Sequence, residues 1–289
     1  MKLRASALTR RGLLTSGAGL GLAGVLAACS SPAPTPTASA PGTSSSAPTS
    51  SAAETSKPTP SDGPNTWDAL AAAISGTLLR PGAKGWDSAR VLRNPRYDDA
   101  NPQGILQAAN AADVAAGLAF VRNTKTPVAL RSGGHSYTGW SAGGASGTGV
   151  PRSLVISTST LSGIDVQGET VTIGPGAQLG DVYAKLASAG RAIGAGSCGT
   201  VGIGGLTLGG GVGVLVRSFG LTCDQLEKVT LVTADGTVHE ASRTSEPDLF
   251  WACRGGGGGS IGVVTSMTFR TQAAPPILMF YLAFPWAAA

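Results

Sequence analysis

Two residues in this chain of 289 stand out for the chemistry they could do, and both sit among glycines. His135, one of only two histidines, lies in Arg131-Ser132-Gly133-Gly134-His135-Ser136-Tyr137-Thr138-Gly139. That stretch follows the apolar run Pro127-Val128-Ala129-Leu130, which predicts a short buried strand stopping in a turn. Cys198 lies in Gly196-Ser197-Cys198-Gly199-Thr200-Val201-Gly202-Ile203-Gly204-Gly205, which runs on into Gly209-Gly210-Gly211. Paired glycines let main-chain N–H groups approach an anionic group without interference from Cβ. A flexible surface loop would not be interleaved with Val201, Ile203, Leu206, Leu208, Val212 and Val214. These predict an ordered, buried segment whose backbone passes close to something flat or anionic. Taken alone, His135 reads as a hydrogen-bonded turn histidine and Cys198 as a buried apolar thiol. The Gly-Ser-Cys-Gly context offers little apolar packing, which favours exposure of the thiol to a ligand.

Several other chemistries fail on spacing. Gly194-Ala195-Gly196-Ser197-Cys198-Gly199 matches G-x-G-x-x-G, but a dinucleotide fingerprint must open a helix and be followed by an acid about 20 residues on. Here more glycines are expected to follow instead of a helix. No lysine completes a Walker pattern. Ala195 to Gly199 is a near miss to G-x-S-x-G, with only His135 and His239 available as a base, which argues against a serine hydrolase. Two histidines and no local cluster of acids argue against a catalytic metal, so no metal site is expected.

Together the two glycine stretches resemble the FAD-binding domain of the berberine bridge enzyme-like oxidases, within the vanillyl-alcohol oxidase and p-cresol methylhydroxylase flavoprotein group. The likeness covers roughly residues 95–274, with both motifs in the family's order. It implies an α+β fold of two α+β subdomains, and FAD attached twice, through His135 to the flavin 8α-methyl and through Cys198 to flavin C6. It implies that Arg131, Ser132, Gly133, Gly134, Ser136 and Tyr137 surround the pyrophosphate beside His135. Gly196, Val201, Gly202, Gly204, Gly205, Gly209 and Gly210 would line the other side, and Val263 would touch the adenine end or the ring edge. The implied reaction is hydride transfer from an alcohol or sugar C–H to the flavin, with molecular oxygen as acceptor. The family's catalytic base and substrate pocket come from a downstream substrate domain. Residues 275–289 are expected to be the first strand of such a domain, cut short, so a flavin-binding fragment without catalysis and a lipid-tethered binding protein stay open as alternatives.

The elements that must position these motifs are legible in outline. A helix is expected from Asp68 to Ile74, capped by Thr66. Asn110-Ala111-Ala112-Asp113 resembles a capping box opening a helix from Ala111 to about Arg122, with Val114, Leu118 and Val121 on one face. Strands are expected at 127–131 and 154–157, hairpins at 164–173 and 229–239, a helix at 179–189 ending at Gly190, and an alternating strand at 261–270. This is α+β rather than regular βαβ alternation.

The first 28 residues read as an export signal. Arg10 and Arg11 form a twin arginine, Gly17 to Ala28 an apolar core, and Leu26-Ala27-Ala28-Cys29 a lipoprotein cleavage site. The expected product is exported by the Tat route and tethered to the membrane by lipid on Cys29. A Sec signal or an uncleaved anchor is the alternative. Residues 29–66, mostly Ser, Thr, Pro and Ala, cannot bury enough apolar surface to fold and read as a disordered tether or a glycosylated stalk. The FAD-binding domain is then 67–274. Removing Lys2, Arg4, Arg10 and Arg11, with no acid among them, lowers the formal charge from +5 to +1. Nothing basic is left to suggest nucleic acid. With Cys29 and Cys198 assigned, Cys223 and Cys253 remain as a possible pair, and His239 reads as structural.

Overall fold

A computed structural model describes residues 63–278 and 280–288. The expected export signal, Cys29 and nearly all of the expected tether lie outside the described residues.

The first half is built on a short mixed sheet. Helix α1 (Trp67–Ala73) starts where the Thr66 side chain accepts from the Ala69 N–H at 3.1 Å. Strand β1 (Thr77–Leu79), helix α2 (Trp86–Arg90) and strand β2 (Gly104–Gln107) follow. Helix α3 (Ala111–Thr124) then crosses over to β3 (Val128–Arg131), and β4 (Leu154–Ser157) closes the set. The sheet order is β1-β2-β4-β3, with β2 and β3 both parallel to β4 and β1 antiparallel to β2. Leu70, Val114, Phe120, Leu154 and Ile156 are fully buried between helices and sheet. The Trp67 ring packs tilted against that of Phe120, with centroids 4.6 Å apart.

The cap of α3 departs from the expected box. The Asn110 side chain does accept from the Asp113 N–H, at 2.9 Å. The Asp113 carboxylate instead accepts from Ser75, Gly76 and Ala109 at 2.7–2.9 Å. A buried carboxylate with three N–H donors beside it satisfies more groups than a reciprocal cap would. It ties the chain after α1 to the start of α3.

The second half is antiparallel. It comprises β5 (Ile164–Gln167), β6 (Thr170–Ile173), α4 (Leu179–Ser188), β7 (Arg191–Ala192), α5 (Ile203–Leu208), α6 (Val216–Phe219), β8 (Leu226–Val232), β9 (Val238–Ser242), α7 (Pro247–Ala252), β10 (Val263–Arg270) and β11 (Gln272–Ala273). Five of these strands form one sheet in the order β5-β6-β10-β8-β9, every pair antiparallel. Leu179, Val182 and Leu186 of α4 are buried in the same core as Ile173, Met267 and Phe269, each such burial worth about 1.5–3 kcal/mol before chain entropy. The fold class is α+β in two sheet-centred halves, as the resemblance implies.

Three local expectations change. A helix does follow the Cys198 glycines, since α5 opens at Ile203 with Gly204 and Gly205 inside it. Val212 and Val214 are 69% and 85% exposed, because Gly213 lies flat against the Ala195 carbonyl, 1.7 Å from where a Cβ would stand. Residues 275–278 and 280–285 form no strand, and Leu278, Tyr281 and Trp286 are exposed.

Candidate cofactor site

Strand β3 delivers the His135 loop. Its last residue, Arg131, is only 8% exposed. Its guanidinium donates to the main-chain carbonyls of Ser141 at 2.9 Å, Ala142 at 3.3 Å and Arg90 at 3.4 Å, and to that of Ala89. Burial lowers its pKa to about 10, so it stays protonated at neutral pH. Arg131 thus draws α2 and the 140–142 turn around the base of the loop.

The residues after it meet the Cys198 strip. The Ser132 hydroxyl donates to the Pro175 carbonyl at 2.6 Å. A Cβ on Gly133 would stand 2.2 Å from the Gly202 nitrogen, and one on Gly202 would stand 2.3 Å from Ser132 Oγ. Two main chains therefore pass at a distance that only glycine permits. Gly134 takes φ +72°, and its carbonyl accepts from the Arg93 N–H at 3.1 Å. His135 Nε2 lies 3.0 Å from the Thr200 hydroxyl. Partial burial, with the Arg93 cation adding to it, pulls the His135 pKa below the ordinary histidine value. Ser136 and Thr138 hydroxyls pair at 3.2 Å. Tyr137 is 90% exposed, its carbonyl held by the Tyr97 hydroxyl at 2.7 Å.

The Cys198 strip is held by main chain. Gly180 N–H donates to Gly199 O at 2.8 Å and Leu179 N–H to Val201 O at 3.0 Å. Ile203 N–H donates to Ala177 O and Gly204 N–H to Pro175 O, both at 2.9 Å. Gly196 is buried against Leu179 and Leu206, with its carbonyl accepting from the Tyr183 hydroxyl. Cys198 is exposed, whereas Cys223 and Cys253 are buried and separate thiols rather than a disulfide. Burial raises the pKa of both, that of Cys253 to about 11. Gly205 and Gly209 are exposed, and nothing lies within 4 Å of a Cβ placed on Gly205.

The structure thus brings His135, Gly133, Gly134, Thr200, Val201 and Gly202 together, with Cys198 two residues from the Thr200 that touches His135. It turns others inward. Arg131 faces carbonyls of its own chain, Gly204 packs on Pro175 with a Cβ position 2.7 Å away, and Val263 is 3% exposed in the core beside Val232. Gly210, at φ +105°, is buried next to Leu221. Sequence reasoning missed Arg93, Thr200, Pro175 and Tyr183. Pro175 had a signal in its flanking glycines, while Arg93 had none, lying 42 positions before His135. His239 has a structural place, with Nδ1 2.9 Å from a Glu246 carboxylate oxygen and Nε2 3.1 Å from the Thr233 hydroxyl.

This arrangement fits a flavin adenine dinucleotide. The two stretches carry no acidic residue to repel a pyrophosphate, and their glycines leave backbone uncovered. An imidazole and a thiol stand clear of the core on the two strips that the seam joins. Residues 102–242 match a family described as an FAD binding domain. YgaK, an FAD-linked oxidoreductase of Bacillus subtilis, is 37% identical over 222 residues, 74% of this chain and 47% of the relative.

The described residues carry the FAD-binding domain of the berberine bridge enzyme-like family. The solved structure of berberine bridge enzyme-like 1 from Physcomitrella patens is 34% identical with a TM-score of 0.64, covering 70% of this chain and 43% of that one. A glucooligosaccharide oxidase of Acremonium strictum, described as carrying a 6-S-cysteinyl, 8α-N1-histidyl FAD, is 33% identical with a TM-score of 0.63, covering 70% and 41%. This berberine bridge enzyme-like chain spans about half the length of the curated relatives it matches, 42–47% of the first three.

Proposed function

We propose that this protein is an exported oxidoreductase holding FAD by two covalent links, at His135 and Cys198, and oxidising an alcohol or carbohydrate with oxygen as acceptor. The observation that carries the reading is the glycine seam. Gly133 and Gly202 join the two strips backbone to backbone, and each strip presents one attachment group. When bound, the flavin supplies a two-electron acceptor for a hydride from a substrate carbon, and oxygen then recovers the electrons as hydrogen peroxide.

This chain's own residues bind and orient. The main-chain N–H groups of Gly134 and Gly205, which donate to no main-chain carbonyl among the described residues, suit the pyrophosphate. The low His135 pKa keeps the imidazole neutral at neutral pH, with a lone pair available for a bond. The name of the Acremonium relative supports both a doubly linked flavin and an oligosaccharide substrate. Export by the Tat route and a lipid on Cys29 rest on the Arg10-Arg11 and Leu26–Cys29 motifs.

The test mixes the yellow full chain with glucose and xylose oligosaccharides and with secondary alcohols, first without oxygen. Bleaching by one class, followed by peroxide on admitting air, is expected. Retained flavin that no sugar or alcohol bleaches would overturn the oxidase reading and leave a flavin-binding module.

A further inference from the structure

We propose that His239 is a proton-operated clasp. With both ring nitrogens protonated it holds Glu246 and closes the junction between β9 and α7, and loss of one proton opens it. The inference goes beyond the flavin reading and does not rest on it.

The neighbours of the ring fix its hydrogen count. The Thr233 hydroxyl has one hydrogen to give. It lies 2.5 Å from the Asp235 carboxylate, a separation that two oxygens reach only with a hydrogen between them. Hydrogen bonds from the Thr233 hydroxyl and then the Thr237 N–H lower the Asp235 pKa to about 2, so this carboxylate accepts and does not donate at neutral pH. The Thr233 hydrogen is thereby committed. Toward His239 Nε2, 3.1 Å away, the Thr233 oxygen accepts, and Nε2 carries a hydrogen. On the other side of the ring, Nδ1 lies 2.9 Å and 3.1 Å from the two Glu246 carboxylate oxygens. A carboxylate offers only lone pairs, so Nδ1 carries a hydrogen as well. Losing the Nδ1 proton would set a lone pair against lone pairs. Losing the Nε2 proton would set one against the Thr233 oxygen, unless that hydroxyl turned away from Asp235. Either loss removes the ion pair with Glu246.

The residue held is the one on which the junction turns. Glu246 stands at φ +49° and ψ +55°, a left-handed backbone that a glutamate keeps only where its surroundings impose it. Its carbonyl accepts from the Phe250 N–H at 3.0 Å and so opens α7, and just before it the Ser242 N–H donates to Ser245 O at 2.7 Å. A released Glu246 side chain therefore releases the chain from Ser242 to the first turn of α7. Among the described residues no other cation pairs with Glu246. The remaining charged groups around the clasp are few. Asp235 acts through Thr233, and Arg122 of α3 holds the Ala234 carbonyl in the same turn. Glu240 of β9 is taken by Lys228 of β8 at 3.6 Å, and Asp248 lies in the first turn of α7.

The test follows amide hydrogen exchange of the full chain, corrected for intrinsic rates, at about pH 5.5 and about pH 8, which bracket the histidine range. In the wild type the protection of the Ser242 and Phe250 amides is expected to fall about tenfold or more at the higher pH, while the amides of β10 keep theirs. Glu246→Gln removes the charge but offers an amide donor to an unprotonated Nδ1, so its protection should be the same at both pH values. His239→Gln removes the titrating ring and should likewise abolish the fall. Nitrogen NMR of labelled histidine, with His135→Gln separating the two rings, should show both His239 nitrogens protonated in the closed state and one of them losing its proton as protection is lost. Wild-type protection that does not change with pH would overturn the inference, as would a fall that persists in either variant. If Glu246→Gln does not fold, His239→Gln decides by the same criterion.

Discussion

The His135 loop and the Cys198 strip share one seam but are fastened by opposite means. The loop is fastened chiefly by side chains: Arg131 holds the carbonyls of Ala89, Arg90, Ser141 and Ala142, the Ser132 hydroxyl that of Pro175, and the Tyr97 hydroxyl that of Tyr137. The strip is anchored by a row of main-chain bonds from Gly180, Leu179, Ile203 and Gly204 to their partners, none of which needs a particular side chain. A loop fastened by a few side chains is exact but vulnerable to a single substitution. A strip fastened at many tolerates change everywhere except where another backbone crosses it.

The seam itself should be the most sensitive place. In Gly133→Ala or Gly202→Ala a methyl would have to enter where a backbone atom or hydroxyl lies 2.2–2.3 Å away. The expected cost is about 3 kcal/mol or more, at or above the top of the usual range for overpacking, read as a lower denaturant midpoint with unchanged slope. Gly205→Ala, in open space, is the control and should change stability by less than about 1 kcal/mol. Equal effects at Gly202 and Gly205 would break the account of the seam.

Next comes the main side-chain anchor. Arg131→Met removes the donor to four carbonyls and should cost about 2–3 kcal/mol, with faster proteolysis near residues 85–90 and 140–142. On the strip, Tyr183→Phe removes only the hydroxyl that reaches the Gly196 carbonyl and should cost about 1 kcal/mol. If Tyr183→Phe proved as damaging as Arg131→Met, the contrast between the two fastenings would fail.

These effects also show what the sequence could convey. The helix capped by Thr66, the helix from Ala111, both hairpins and the α+β class were legible because propensity, capping and alternation all act within a few residues. The two glycine motifs were legible as backbone that must pass close to something. What they pass closest to, one another, was not, because Gly133 and Gly202 stand 69 positions apart. The same limit explains Arg131 and Val263. A motif names the residue type, but only the packing decides whether a side chain faces the cofactor or, as here, carbonyls and core. The helix at Ile203 was hidden because Gly204 and Gly205 are poor helix formers. Contacts with Pro175 and the 177–180 segment override that preference.

The smallest effect concerns pH. The folded-state pKa of His135 lies below its ordinary value, so on acidification the unfolded chain takes up this proton first. The stability at issue is present above the ordinary histidine pKa of about 6.5 and falls as pH drops below it. Thermal melts of the cofactor-free chain should lose less stability between pH 8 and 5.5 in His135→Gln than in wild type. A steeper loss in the variant would contradict the assigned environment.

The central claim, that the two strips form one face with an attachment point on each, is tested most directly by following the colour after acid denaturation. Wild type, His135→Ala, Cys198→Ala and the double variant would be precipitated and the flavin measured in pellet and supernatant. The account requires flavin in the pellet for the wild type and for each single variant, and in the supernatant for the double variant. Flavin released from the wild type, or retained by the double variant, would contradict it.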